Sequence, residues 1–317
     1  MAVPNFKLNN GVTVPALGFG TYAAEGTVGK GAMRKPVTTA LEIGYRHLDC
    51  ACIYRNEDEI GEGLRDFLIN NPSVKREDIF VTTKVWVHLF EPEDVEWSLN
   101  ASLKDLGLDY VDCLLLHWPF AAERTEDYEV KRNSEGKYII KQSLTEDHKP
   151  TWTAMEKLCN SGKTRSIGVS NFRIEHLDNL LRFATIKPVM NQVEIHPYLP
   201  NTELLEYCWS HDILPVAYSP LGSQENVTER LMEDKNLMEI ATTKGVSLAQ
   251  LLISWGIKRG YAVLPKSANP ERVKNNFHFV GLSDSEFEAV QKVAKGRHTR
   301  MVNPSFFGHN MWPEESA

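Results

Sequence analysis

Eight short apolar stretches, each followed by a charged amphipathic segment, constrain the fold of this 317-residue chain more than any other feature. They are "ALGFGT", "RHLDC", "DIFVTTKVW", "YVDCLLLHW", "TRSIGVSN", "PVMNQVEI", "ILPVAYSP" and "YAVLPKS". Most are apolar throughout and rich in β-branched residues, as strands buried on both faces are. The segments between them have helical period. In "EPEDVEWSLNASLKDLG", Pro92 and three acids mark the first turn, Val95, Leu99, Leu103 and Leu106 form one stripe, and Gly107 ends it. "NFRIEHLDNLLRFA" repeats the logic with Ile174, Leu177, Leu181 and Ala184. Eight such strand–helix units predict an α/β fold, a (β/α)8 TIM barrel read as one domain over residues 1–317. A doubly wound sheet is the rival. It usually carries G-x-G-x-x-G after its first strand, and that full pattern is missing here.

Three segments fall outside the rhythm. "FKLNN", a turn at Asn10-Gly11, and "VTVPALGFG" predict an N-terminal hairpin. Residues 120–149 are too charged for core and too long for a plain connection, with a small hairpin expected to turn at "NSEG". The tail from about residue 296 is irregular but carries Phe306, Phe307 and Trp312. Both long segments are read as loops covering a site. The net charge of -7 disfavours nucleic acid or a membrane surface as the partner. With no apolar leader or membrane-length run and five cysteines, an odd number, the expectation is a cytoplasmic protein with reduced thiols. Nothing demands a dimer, so a monomer is expected.

The chemistry collects where the strands end. These ends carry Asp49, Lys84, His117 with Trp118, Ser170-Asn171, Gln192 with Glu194, Tyr218-Ser219, and Lys266-Ser267. In a barrel they meet at one face, which holds the active site. Each has a bland reading alone, Lys84 as a solvated loop end and His117 as a hydrogen-bonded core residue, but so many together do not. No H-x-H, H-E-x-x-H or carboxylate cluster offers a metal site, and C-x-C at Cys50 and Cys52 has no second pair, so no metal is expected. Tyr54 follows Asp49 closely. Its phenol has a reference pKa near ~10, and a nearby ammonium held by an acid lowers it. Asp49, Lys84 and Tyr54 therefore make a workable acid–base relay, with His117 orienting a carbonyl oxygen. In "LPKSANPERVKNNF", Asn269 suits an N-cap and Pro270 the first helical position. Lys266, Ser267 and Arg272 around that helix start suggest a phosphate site.

Taken in order, these stretches resemble the aldo-keto reductase superfamily over nearly the whole chain. "GYRHLDCACIYRNEDEIG", "LLLHWP", "SIGVSNF", "NQVEIHPY", "YSPLG" and "LPKSANPERVKNNF" carry the resemblance. It implies NADP(H)-dependent reduction of small aldehydes and ketones to alcohols without metal, with sugar-derived aldehydes and polyol–aldose interconversion among the reactions. Tyr54 would be the proton donor, tuned by Asp49 and Lys84, with His117 orienting substrate. Ser170, Asn171 and Gln192 would bind the carboxamide and Tyr218 stack on the nicotinamide. Ser219, Leu221 and Ser223 would line the pyrophosphate loop. Lys266, Ser267 and Arg272 would hold the 2′-phosphate, and Asn276 the adenine. Gly20, Thr21, Tyr22 and Asp49 complete the cofactor set. Tyr22, Ile53, Trp86, His117, Trp118, Phe120 and Trp312 are the substrate-pocket candidates. Two positions depart from the pattern: Tyr22 where Trp is frequent, and Asn275 where Glu is frequent. The alternative function is a cofactor-binding relative without turnover, which the intact set Asp49, Tyr54, Lys84 and His117 argues against.

Overall fold

The computed structural model describes residues 2–22, 32–222 and 230–312. Two short strands, β1 (Asn5–Lys7) and β2 (Thr13–Pro15), pair antiparallel as the expected hairpin. Gly11 turns it with φ of 87°, a left-handed conformation that glycine adopts without steric cost. Eight parallel strands follow in sequential order: β3 (Phe19–Gly20), β4 (His47–Asp49), β5 (Phe80–Val85), β6 (Cys113–Leu116), β7 (Ile167–Ser170), β8 (Met190–Glu194), β9 (Leu214–Tyr218) and β10 (Ala262–Leu264). The seam between β3 and β10 closes through a parallel bridge, Leu17 to Val263. Gly18 N donates to Val263 O at 2.9 Å, and Val263 N to Ala16 O at 2.8 Å. All eight predicted strands are present, each shorter than its apolar run.

The helices are α1 (Arg34–Ile43), α2 (Glu57–Asn70), α3 (Pro92–Leu106), α4 (Gln142–Glu146), α5 (Lys149–Asn160), α6 (Ile174–Leu181), α7 (Thr202–Ser210), α8 (Lys235–Lys244), α9 (Leu248–Arg259), α10 (Pro270–Phe277) and α11 (Asp284–Ala294). The stripe of α3 is buried as its spacing predicts, and Gly107 at φ 67° ends the helix. α6 departs from expectation. It stops at Leu181 and buries Leu177 and Leu180, not Ala184. Apolar spacing marks the face of a helix better than its last turn.

Strand alternation sorts the side chains into an inner and an outer layer. On β5, Val81 and Val85 join the outer core between sheet and helices, while Phe80 joins the barrel interior. That interior also holds Leu115, Met190, Val216 and Leu264. Leu8 and Val14 of the hairpin pack on it and plug the lower end. A third cluster, Trp86, Trp118, Phe120, Tyr138, Phe307, Met311 and Trp312 with a few neighbours, caps the other end. The segment 120–141 supplies part of that cap. Its bridges are Ala122 to Ile140, Arg124 to Val130 and Arg132 to Tyr138. Gly136 N bonds back to Asn133 O at 3.0 Å, so the expected turn at "NSEG" forms.

Among the described residues, burial holds the pKa of six histidines below the usual value: His47, His88, His117 and His148, which are buried, and His176 and His309, which are partly so. For His47 it falls to about 4. Such a group is neutral when folded and takes a proton when unfolded near ~6.5, so its stabilising effect is complete above that pH and fades below it. Each fully engaged group gives a slope of about 1.4 kcal/mol per pH unit. Glu57 and Asp105 oppose them, because burial raises each carboxyl pKa. Six groups outweigh two, so urea-unfolding stability is expected to fall as pH drops from 7 to 5. A flat profile over that window would refute the neutral assignment.

Candidate active site

Asp49 is the last residue of β4 and points into the barrel. One layer across, Lys84 comes up β5 as a fully buried ammonium. Lys84 Nζ donates to Asp49 Oδ1 at 2.8 Å, Asp49 Oδ2 at 2.9 Å and Cys50 O at 2.8 Å, which accounts for all three of its protons. A buried pair of this kind is costly to break on one side only. Lys84→Met leaves Asp49 charged and unpaired, and such losses run to about 3–5 kcal/mol. Urea unfolding of that variant measures it, and a loss below about 1 kcal/mol would show that water replaces the ammonium.

After Asp49 the chain makes a 3-10 turn, Cys52–Tyr54, that returns the phenol over the pair. Lys84 Nζ lies 5.2 Å from the Tyr54 ring centroid. The Tyr54 ring meets Tyr22 edge-on at 5.3 Å and His117 at 5.8 Å. The expected lowering of the phenol pKa by Lys84 is outweighed. Burial first, and the Asp49 carboxylate second, push Tyr54 well above its usual value. Tyr54 thus stays protonated across the neutral range. His117, at the end of β6, is driven the other way by burial and then by Lys84. It is a neutral imidazole, and among the described residues its Nδ1 has no hydrogen-bond partner.

The amide side chains continue from the pair. Gln192 Nε2 on β8 donates to Asp49 Oδ1 at 2.7 Å, and Ser170 Oγ on β7 donates to Gln192 O at 2.7 Å. Asn171 Nδ2 donates to His117 O at 2.9 Å and Ser170 Oγ at 3.2 Å. Tyr218 at the end of β9 donates its hydroxyl to Asn171 Oδ1 at 2.8 Å. Asn171 and Ser219 take positive φ, 63° and 46°, which turns the chain sharply off β7 and β9. Thr21 is buried and gives its hydroxyl to Asp49 O at 2.8 Å, beside Gly20 at the end of β3. Neutral hydroxyl and amide groups beside an aromatic ring match a carboxamide-bearing ring; this donor set fits a nicotinamide.

Farther round, Asn269 caps α10 by accepting from Arg272 N at 3.1 Å, and Ser267 Oγ accepts from Asn269 N at 3.1 Å. Lys266 and Arg272 are exposed beside this start, while Asn276 is buried one turn on. Two cations at a capped helix start suit a phosphate monoester. Leu221 lies on the turn after β9, where Gly222 N bonds Ser219 O at 2.9 Å; Ser223 lies outside the described residues.

The substrate candidates Trp86, Trp118, Phe120 and Trp312 gather in the mouth cluster, with Ile53 at its edge. Tyr22 stands apart from them, half-exposed over Tyr54. Phe307 packs against Trp86, Trp118, Phe120 and Tyr138, and Trp312 against Trp118. Phe306 instead turns outward onto Tyr138 and Arg132. Among the described residues, no three His, Cys, Asp or Glu side chains gather as metal ligands would.

One member of this region is not evident from charge alone. Glu57 opens α2 three residues after Tyr54, yet it is buried and accepts from Thr83 Oγ1 at 2.5 Å and Ser102 Oγ at 2.7 Å. It ties the Tyr54 turn to the residue next to Lys84. Its spacing carries the signal: Glu57, Ile60, Gly61 and Leu64 share one buried helix face.

Residues 16–295 match the profile of the Aldo/keto reductase family. The chain is 55% identical over 319 residues to Glycerol 2-dehydrogenase (NADP(+)) of Hypocrea jecorina, covering 99% of this chain and 100% of that protein. It is 41% identical to Glycerol 2-dehydrogenase (NADP(+)) of Saccharomyces cerevisiae, over 95% of this chain and 94% of that one. Its fold superposes on the aldose reductase of Schistosoma japonicum with a TM-score of 0.86 at 37% identity, covering 96% of this chain and 97% of the other.

Proposed function

Because the chain belongs to the aldo/keto reductase family and is a nicotinamide-dependent carbonyl oxidoreductase, we propose that it uses NADP(H) to interconvert small polyols and their carbonyl forms, with Tyr54 as the proton donor. The observation that carries the reading is the bidentate Lys84–Asp49 pair beneath a protonated Tyr54, with neutral His117 alongside. Ser170, Asn171, Gln192 and the ring of Tyr218 would hold the nicotinamide, and Lys266 and Arg272 the 2′-phosphate. The chemistry supplied by the bound nicotinamide is hydride exchange; everything else falls to the chain.

In the reducing direction, neutral His117 donates to the carbonyl oxygen and aligns it beside Tyr54. Charge develops on that oxygen, and Tyr54 gives its proton to it. The alkoxide is a far stronger base than a phenolate, so a raised phenol pKa does not stop the transfer. The phenolate left on Tyr54 lies beside the Lys84 ammonium, which Asp49 keeps from drifting. The buried aromatic mouth excludes water, which strengthens each of these interactions. Half-exposed Tyr22 adds a phenol to the rim, and this supports hydroxylated substrates over purely apolar ones.

The test is a panel of aldehydes, ketoses and polyols, read as kcat/KM in both directions with either cofactor. Small hydroxylated compounds should lead. Quenching of NADPH fluorescence with no turnover of any of them would replace this reading by simple cofactor binding.

The tail enters the same reading. Phe307 and Trp312 belong to the mouth cluster, not to the barrel core. Deleting residues 304–317 is expected to raise KM or reorder the panel while cofactor affinity holds. An unchanged panel would show the tail to be idle, and a chain that no longer folds would show it to be structural.

A further inference from the structure

Glu194 ends β8 on the same side as Gln192, two residues earlier, and has no part in the reaction described above. It is wholly buried, as is His196 beside it. Its carboxylate gathers three N–H donors: His196 Nε2 at 2.9 Å to Oε1, Met301 N at 2.9 Å to Oε1, and Val302 N at 3.0 Å to Oε2. A buried carboxylate is tolerated only when its oxygens are bonded in this way. Two of the donors are consecutive backbone amides of the tail, whose one regular element among the described residues is a short 3-10 turn, Ser305–Phe307.

The clasp sits between two functional regions. Met301 also packs at Gly222, on the turn after β9, where an added Cβ would lie 3.1 Å from its sulfur. Downstream, the tail carries Phe307, Met311 and Trp312 into the mouth cluster. Arg300 stacks 3.9 Å over the Trp312 ring, so the clasped segment and the plug touch directly. The tail is therefore registered to the strand whose Gln192 bonds Asp49, and any slip at residues 301–302 is transmitted to Phe307 and Trp312, which pack on Trp118, and to Trp86, which lies between Phe307 and His117.

We propose that Glu194, by clasping the backbone of Met301 and Val302, is the positioning residue that fixes the aromatic plug of the tail and thereby sets how large a substrate the site accepts. The part concerning substrate rests on the reading of Tyr54 and His117 as the reaction centre. Glu194→Gln keeps the shape but removes the charge and turns one acceptor into a donor facing an N–H.

In the full chain without cofactor, amide hydrogen exchange at residues 301 and 302 should quicken by about tenfold or more, a change of about 1.4 kcal/mol. KM should change about tenfold for the bulkiest aldehyde of a graded series and less than about twofold for the smallest, at nearly constant kcat. Cofactor affinity should stay within about twofold. Val302→Pro removes one clasped N–H and leaves Glu194 in place. It should give the same size-dependent change, and it answers the question if the Gln variant does not fold. Unchanged exchange overturns the clasp. A uniform KM change across the series, or a parallel loss of cofactor affinity, overturns its role in size selection. Absence of any aldehyde turnover by the unmodified chain would instead remove the reaction centre, a failure the exchange measurement does not share.

Discussion

Tyr54→Phe is expected to lose turnover by about 10²–10⁴-fold, the usual range for removing a general acid. Nicotinamide binding should hardly move, because Ser170, Asn171, Gln192 and Tyr218 form their own bonded ladder and none of them bonds the phenol. The substitution removes one oxygen and keeps the ring, so the edge contacts with Tyr22 and His117 survive. A steady-state kcat beside a cofactor titration separates the two effects. Near-normal kcat in the variant would remove Tyr54 from the mechanism. A collapse of both quantities would mean that the hydroxyl holds the site together and does not donate its proton.

Arg272→Ala, and more so the pair Lys266→Ala and Arg272→Ala, should erase a preference for NADPH over NADH. Contacts to a charged group are worth about 1.5–3 kcal/mol each, and each 1.4 kcal/mol is about tenfold in affinity. The double variant should therefore lose a factor of about 10²–10⁴ in NADPH affinity while NADH binding stays put. Asn269 caps α10 independently of both side chains, so the helix start should survive. Dissociation constants for both cofactors decide it. Equal affinities in the unmodified chain would show that these cations do not read the phosphate.

The barrel was legible because its strands are apolar on both faces and its helices are not. The strand ends were legible for the same reason: a lysine, an acid or a histidine closing an apolar run is conspicuous, and Asp49, Lys84 and His117 each do so. Two kinds of information were hidden. Glu57 looks like one more acid in a charged helix start, and only its place on the Ile60–Leu64 face marks it as buried. Glu194 was visible as a strand end, but its partners are backbone amides more than a hundred positions away, and backbone atoms carry no sequence signal. The pKa of Tyr54 was misread in direction for a similar reason. Proximity of Lys84 can be guessed from strand order, whereas the depth of burial that outweighs it depends on how Tyr22, His117 and the turn after β4 pack around the ring.

The seam of the barrel has a consequence for the life of the chain before it is an enzyme. β3 is two residues long, and among the described residues its outer edge is bonded by Val263 and Pro265, late in the chain. During synthesis the first barrel strand must wait for the last, so the ring stays open until almost the whole polypeptide has left the ribosome. Pairings this distant in sequence slow folding, and an unclosed sheet edge invites association with other chains. Nascent chains halted before residue 262 should be protease-sensitive and prone to aggregate, and resistance should appear abruptly once residues 262–265 emerge.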